Sequence, residues 1–432
     1  MVGEERHDSA ADGLTSPSDS GHELIQLHSK ARTPYERATL GFRNYWYPVC
    51  TSPEITEKPR AVKVLGDAIT ILRRDGKAYA IADACPHRGT QLSLGKCQVP
   101  GTPTISCPYH GWTFDVRTGA CVAVLCEGPE SKVVGRAKVR TYPIEEQKGI
   151  IWIWMGRSKP VPLEDDVPKL LLREDTVVRV RHNVRYGNWR FHAENLGGGH
   201  AQVLHREALG VYFQEVPAYP IDISGKVGAD VDGENWVLQD TPKGVKFRDE
   251  YPGLGTWPPE RGGLRKKLSG AWAATSRSPM FGVNHYGSAL RLPGIARSLH
   301  YPFAGCMYYE WWVAVDEDHY NYFQVSCGWP KTTRERVKWE LKYRLYGEPF
   351  MVKRFNDQDI EMVRQTTDYV KRRGGSIMYL SKLTKQDRFH IEWRRMVNAW
   401  ARGEGEEWLK QNAAGSPAPE AASEIDAASA NS

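Results

Sequence analysis

Two short loops each carry one thiol and one imidazole: Cys85 and His87 in "CPHRG", then, nineteen residues on, Cys107 and His110 in "CPYHGW". Four donors of these types can hold a structural zinc, but zinc loops usually pair Cys with Cys and His with His. A [2Fe-2S] centre whose two thiolates bind one iron and whose two imidazoles bind the other requires this mixed supply from each loop. Pro86 and Pro108 beside the ligands, with Gly89 and Gly111 just after them, suit tight loops folded over a cluster. The pairing favours the cluster over zinc. Cys97, between the loops, reads as a bystander thiol.

A cluster of that kind carries one electron and binds no substrate, so the rest of the chain should hold whatever uses the electron. Oxygen activation by non-haem Fe(II) typically needs two His and one carboxylate on one face. His200 and His205, in "HAENLGGGHAQVLH", are the best pair. On a regular helix, side chains five apart diverge by about 140°. The helix must therefore be distorted, by a π-bulge or a glycine-rich break. Gly197, Gly198 and Gly199, each costing roughly 1 kcal/mol in a helix interior, fit a segment that has to bend. The plainer reading is two histidines on an ordinary helix beside a flexible turn. His192 reads as a buried, hydrogen-bonded histidine rather than a ligand.

The two Cys/His loops followed by a long second domain resemble the terminal oxygenase (alpha) component of Rieske non-haem iron oxygenases, from about Tyr45 to Gly403. "GHAQVLHR" is similar to Rieske O-demethylases of aromatic acids. "RFNDQDIEMVRQ" and "YYEWWVAVDEDHYNYFQ" are similar to carbazole-type members. The resemblance implies a Rieske [2Fe-2S] cluster on Cys85, His87, Cys107 and His110, and a mononuclear Fe(II) on His200, His205 and Asp359, with Asp357 as the fallback. It implies a homotrimer fed from NADH through a separate flavin reductase, ferredoxin or both, since no dinucleotide fingerprint occurs in this chain. It places Tyr308 to Gln324 in the catalytic sheet, with their aromatics in the core rather than the pocket.

One departure stands out. The family's pattern E-N-x-x-D-x-x-H appears here as "ENLGGGH", one residue shorter and with Gly197 where the acid that bridges cluster and iron between subunits is expected. Glu194 is the candidate replacement bridge, reaching a neighbouring subunit's His110 and an iron histidine. The competing reading makes Glu194 a local cap or salt bridge.

The elements that must position these residues give an α+β chain. Residues 1–40 read as a disordered N-terminal segment and lead-in, 41–160 as an antiparallel β Rieske domain, 161–411 as a catalytic domain with a central antiparallel sheet flanked by helices, and 412–432 as a disordered tail. "RAVKVLGDAITILRR", "KAYAIADA" and "GIIWIWMG" alternate as strands, and "SKPVPLEDDVPK" is a connector near residue 160. "DTVVRVRHNVRY", Gly270 to Ala274 and Met307 to Val315 are further strands. Thr332 to Arg373 has helical spacing, broken at "YGEP". Gly210 to Arg297, rich in Trp, Tyr, Pro and Gly, is expected to build the substrate pocket.

Composition narrows the rest. The 432 residues are 41% hydrophobic and 25% charged, with 15 Trp and 20 Tyr able to build pockets for flat apolar ligands. Basic residues number 58 against 52 acidic ones, spread along the chain, so nucleic acid is not indicated. "SKVVGRAKVR", Ser131 to Arg140, could dock an acidic ferredoxin. Eight cysteines without a secretory signal or a membrane-spanning run point to the cytoplasm. The expected function is oxygenation of an aromatic or flat apolar compound by O2, as hydroxylation or oxidative N- or O-dealkylation. The alternatives are ring cis-dihydroxylation and, more distantly, a Rieske electron carrier with no second iron.

Overall fold

The computed structural model describes residues 33–99, 101–128, 130–196, 204–205, 224–229, 235–240, 288–299, 301–303, 305–374, 383–384 and 387–402. His200, the three glycines before it, the strand expected at Gly270 to Ala274 and most of the expected pocket segment lie outside these residues, as do 1–32 and the tail 412–432. Within the lead-in the described residues begin at Thr33. This residue caps helix α1 (Pro34–Arg37) through a reciprocal capping box with Glu36, and Tyr35 is buried.

The first half is built from short antiparallel strands: β1 (Trp46–Thr51), β2 (Arg60–Val64), β3 (Asp67–Arg74), β4 (Lys77–Ala82), β5 (Thr104–Ser106), β6 (Trp112–Asp115), β7 (Cys121–Val124), β8 (Thr141–Tyr142), β9 (Ile144–Gln147) and β10 (Ile150–Trp154). They form three sheets, ordered β1-β10-β9, β2-β3-β4-β8 and β5-β6-β7. The apolar run of β10 is buried along its whole length, as a central strand of a covered sheet should be. The loop with Cys85 and His87 follows β4, and the loop with Cys107 and His110 joins β5 to β6.

A helical turn, α2 (Lys169–Leu172), leads to the second half. Its strands are β11 (Val177–Tyr186), β12 (Ser224–Ala229), β13 (Asn235–Asp240), β14 (Ala289–Arg291), β15 (Ile295–Leu299), β16 (Cys306–Ala314) and β17 (His319–Gly328). They form one antiparallel sheet in the order β11-β17-β16-β15-β14-β13-β12. β11, β16 and β17 fall where the alternation of "DTVVRVRHNVRY" and the aromatic run from Tyr308 to Gln324 place them. Every residue of β16 is buried because both faces are covered. Successive side chains on a strand point to opposite faces. Thus Trp311 packs edge-on against Trp152 of β10 in the cluster domain, whereas Trp312 stacks near His192 on the helix side.

The helices on that side are α3 (Trp189–Ala193), α4 (Thr333–Lys342), α5 (Asn356–Arg373) and α6 (Arg388–Trp400). Asn188 caps α3 by accepting from the Arg190 N–H, and Thr332 caps α4 by accepting from the Glu335 N–H. Between α4 and α5 runs a π-helix, Tyr343–Phe355, which contains Pro349. The helical run expected from Thr332 to Arg373 is thus continuous. The break anticipated at "YGEP" is a widening of the helix, which accommodates a proline lacking an N–H to donate. α5 ends at Gly374, whose φ of 63° is the left-handed conformation that glycine adopts without strain.

One hydrophobic core runs through both halves, joining Trp46, Ile151 and Trp154 with Trp311, Val313 and Trp393. Polar ties reinforce it. Buried Asp166 accepts from the Trp46 N–H at 2.9 Å and pairs with Arg402 at 2.7 Å, and Arg402 also donates to the Asn44 carbonyl. No described helix is long and apolar enough to cross a membrane.

Candidate metal centres

The two cluster loops have the same backbone construction. The Cys85 N–H donates to the Thr90 carbonyl and the Gly89 N–H to the Cys85 carbonyl. In the second loop Cys107 donates to Trp112, and Gly111 to Cys107. Gly89 and Gly111 have φ of 72° and 69°. Gly111 is also confined in space, because a Cβ there would sit 2.8 Å from the Leu125 Cβ.

The loops bring their donors together two and two. Cys85 and Cys107 are buried in one small core with Leu92, Ile105 and Phe114. The His87 and His110 rings lie 4.6 Å apart at the surface, and His87 stacks flat on Trp112 at 4.9 Å. Burial and then the adjacent Cys107 thiol push the Cys85 thiol up to about 11, so two thiolates side by side need a cation between them. Partial burial, followed by His87 and Arg88, lowers the His110 imidazole below its ordinary value and favours the neutral form that a metal binds. Among the described residues no three His, Cys, Asp or Glu side chains converge on one point. A two-iron cluster takes its ligands in pairs, two thiolates on one iron and two imidazoles on the other. Cys97 stands apart, with its thiol against the Val99 and Thr102 carbonyls.

The second centre joins residues distant in sequence. His205 is fully buried, and its Nε2 lies 3.1 Å from Oδ1 of Asp359, which is only 6% exposed. Asn195, just beyond α3, donates to the same Oδ1 at 2.8 Å. Phe355 stacks on the His205 ring with centroids 3.6 Å apart, and the Gln358 Oε1 lies 2.9 Å from His205 Nδ1. A desolvated imidazole edge facing a carboxylate is a hard N,O donor set suited to a divalent iron. Asp357 points elsewhere, with a half-exposed carboxylate 3.4 Å from Arg185. His192 is buried with Nδ1 2.8 Å from the Tyr320 hydroxyl, and His200 lies outside the described residues.

Of the two readings for Glu194, the geometry within one chain is that of the local salt bridge. Both carboxylate oxygens accept from Arg394 of α6, at 2.6 and 2.7 Å, and the Tyr35 hydroxyl donates at 2.7 Å. The carboxylate thereby ties the end of α3 to α6 and α1.

A polar network missed by sequence reasoning lies beside this centre. Glu310 of β16 is buried and accepts from the Tyr322 hydroxyl, while the Tyr308 hydroxyl accepts from Gln324 at 2.9 Å and Asn356 at 2.7 Å. Burial raises the Glu310 carboxyl to about 8, with the charge of Asp359 adding to the effect. Its only sequence signal was an acid in an otherwise aromatic strand. Asn195, Phe355 and Gln358 stood inside quoted motifs without a marked role.

Comparison with known proteins agrees with this layout. Residues 45–143 match the Rieske [2Fe-2S] domain, and residues 154–404 match the homotrimeric ring hydroxylase family. The terminal oxygenase component of carbazole 1,9a-dioxygenase from Sphingomonas sp is 34% identical, over 88% of this chain and 97% of that protein. Methylxanthine N1-demethylase from Pseudomonas putida is 38% identical over 27% of this chain and 33% of its own length. A solved structure of the reduced complex between oxygenase and ferredoxin in carbazole 1,9a-dioxygenase superposes with a TM-score of 0.71 at 26% identity, covering 94% of this chain and 100% of the other.

Proposed function

Given that the chain belongs to the homotrimeric ring hydroxylases among the Rieske non-haem iron oxygenases, we propose that it oxygenates a flat aromatic compound, by ring hydroxylation or by oxidative N- or O-dealkylation, and that it does so in the cytoplasm. The observation that carries this reading is the approach of His205 to Asp359 across 154 residues of sequence, in the same chain as two Cys/His loops built for a cluster. Electrons derived from NADH reach such a terminal oxygenase through a separate reductase, and the related oxygenase forms a complex with ferredoxin. The six cysteines outside the cluster loops carry free thiols, which fits a reducing compartment.

In this assignment Cys85, His87, Cys107 and His110 hold the cluster, and His200, His205 and Asp359 hold the mononuclear iron. The domain division falls near residue 160. When bound, the cluster delivers single electrons and the iron activates O2 beside the substrate. The chain's own residues prepare the ground for this. The buried thiols keep one end of the cluster site dry, and the two imidazoles sit side by side at the surface. In the basic stretch from Ser131 to Arg140, Val133, Val134 and Ala137 pack on the cluster core while Lys132, Arg136 and Lys138 face outward. They form a cationic rim for an acidic ferredoxin. Around the second centre, Phe355 covers one face of His205 and Asn195 fixes one Asp359 oxygen, so both donors are oriented before a metal arrives.

The test is a substrate panel with a reconstituted reductase and ferredoxin. Ring hydroxylation predicts hydroxylated arenes without aldehyde, whereas dealkylation predicts one aldehyde per O2 consumed from methoxy- or N-alkyl-arenes. No O2 uptake with any flat aromatic would overturn the substrate class.

A further inference from the structure

Three side chains at the start of α5 close around one imidazole. Phe355, Gln358 and Asp359 stand at positions i, i+3 and i+4, the spacing that puts helical side chains on one face. Phe355 stacks on the His205 ring at 3.6 Å with an interplanar angle of 16°. Asp359 Oδ1 stands 3.1 Å from Nε2, and Gln358 Oε1 stands 2.9 Å from Nδ1. The ring is thus held by its face and by both of its nitrogens.

The two nitrogens face different kinds of oxygen, and this decides their roles. A carboxylate that can itself bind a metal leaves Nε2 as the ligating atom. A carboxamide oxygen only accepts hydrogen bonds, so Nδ1 must carry the proton and donate to it. A ring free to rotate or to take the other tautomer would present Nδ1–H, which binds nothing, to the metal for part of the time. Histidine ligands are generally fixed in this way by a hydrogen bond from the far nitrogen, and losing it typically costs 10–100-fold in metal affinity. In this chain Gly197 stands where an acid is expected beside the iron histidines, and the contact on His205 comes instead from a neutral amide on another helix.

We propose that Gln358 is a positioning residue for the mononuclear iron: its carboxamide oxygen holds His205 in the tautomer and orientation that present Nε2 to the metal. This rests on the assignment of His205 and Asp359 as iron ligands. Gln358 touches the far side of the ring, so its effect reaches the metal only through His205.

The test is Co(II) titration of the cluster-loaded protein, read from the visible d–d bands of the bound ion. The cluster's own absorbance reports in the same sample that the chain is folded. Gln358→Leu removes the acceptor, and it is expected to weaken Co(II) binding by about 10–100-fold. Gln358→Glu restores an acceptor and is expected to bind within a few-fold of the wild type, with d–d bands at the wild-type position. Leucine and wild-type proteins binding alike, or glutamate failing as leucine does with the cluster intact, would overturn the proposal. Wild-type protein that binds no Co(II), or binds it unchanged after His205→Ala, would instead overturn the ligand assignment, and the proposal with it.

Discussion

Glu310 shows how a single buried group can set the chemistry next to a metal centre. Its carboxyl is raised from 4.5 to about 8 by burial, then by the charge of Asp359, against the opposing hydrogen bond from Tyr322. The folded chain therefore holds a proton that the unfolded chain releases near pH 4.5. The folded state binds more protons across that interval, so this group's contribution makes stability fall as pH rises from about 4.5 to 8, by about 5 kcal/mol in all, and level off above. In the metal-free protein, Glu310→Gln should remove that slope while keeping the Tyr322 contact. Urea unfolding of both proteins at pH 5 and pH 8 checks it, and identical pH dependence would show that Glu310 ionises normally. At this scale the sequence was legible where ligand spacing is local, as in the two Cys/His loops. It was less legible where partners come from far away. Glu194 meets Arg394 across 200 residues and His205 meets Gln358 across 153, so neither pairing leaves a local pattern. The resemblance favoured Asp359 over Asp357. The physical difference between them is burial, since one faces His205 and the other faces Arg185 near solvent.

The elements around the proposed iron site are fixed at a few close contacts. Gly187 joins β11 to α3 with φ of 141°, and a Cβ there would meet Val363 of α5 at 2.8 Å and Tyr320 at 3.3 Å. This close approach holds the helix leading to Asn195 against the helix carrying Asp359. Gly187→Ala must strain the backbone or push α3 from α5, at about 1–3 kcal/mol. Thermal melts should drop by roughly 2–4 °C per kcal/mol, and the second metal should be lost before the cluster. A variant with unchanged melting and full metal content would contradict this. The strands were readable because alternation survives in β2, β3, β4 and β11, and because a continuous aromatic run marks β16 and β17. The π-helix before Asp359 was not, because its spacing resembles a helix with a flaw. Sequence reasoning placed the helical distortion at the glycines before His200, outside the described residues, whereas the described distortion lies ahead of the carboxylate.

The whole molecule joins an electron-carrying half to an oxygen-using half through one core. Trp152 meets Trp311, and Asp166 with Arg402 ties the C-terminal end of the described chain to β1. The family is homotrimeric, so each chain must present both halves in fixed relation to its neighbours, and a continuous core supplies that rigidity. Composition gave no sign of nucleic acid, and the aromatic content pointed to a flat apolar ligand. It could not give the substrate, because pocket shape depends on side chains brought together by folding. A chain that holds two separate iron centres must show both in its metal content, counted as iron and acid-labile sulfide in the reconstituted trimer. Wild-type protein should contain about three iron atoms and two sulfides per chain. Asp359→Ala should fall to about two irons with both sulfides and the cluster's EPR signal unchanged. A wild-type count of two irons, or an Asp359→Ala protein that keeps the third, would contradict the assignment of two centres.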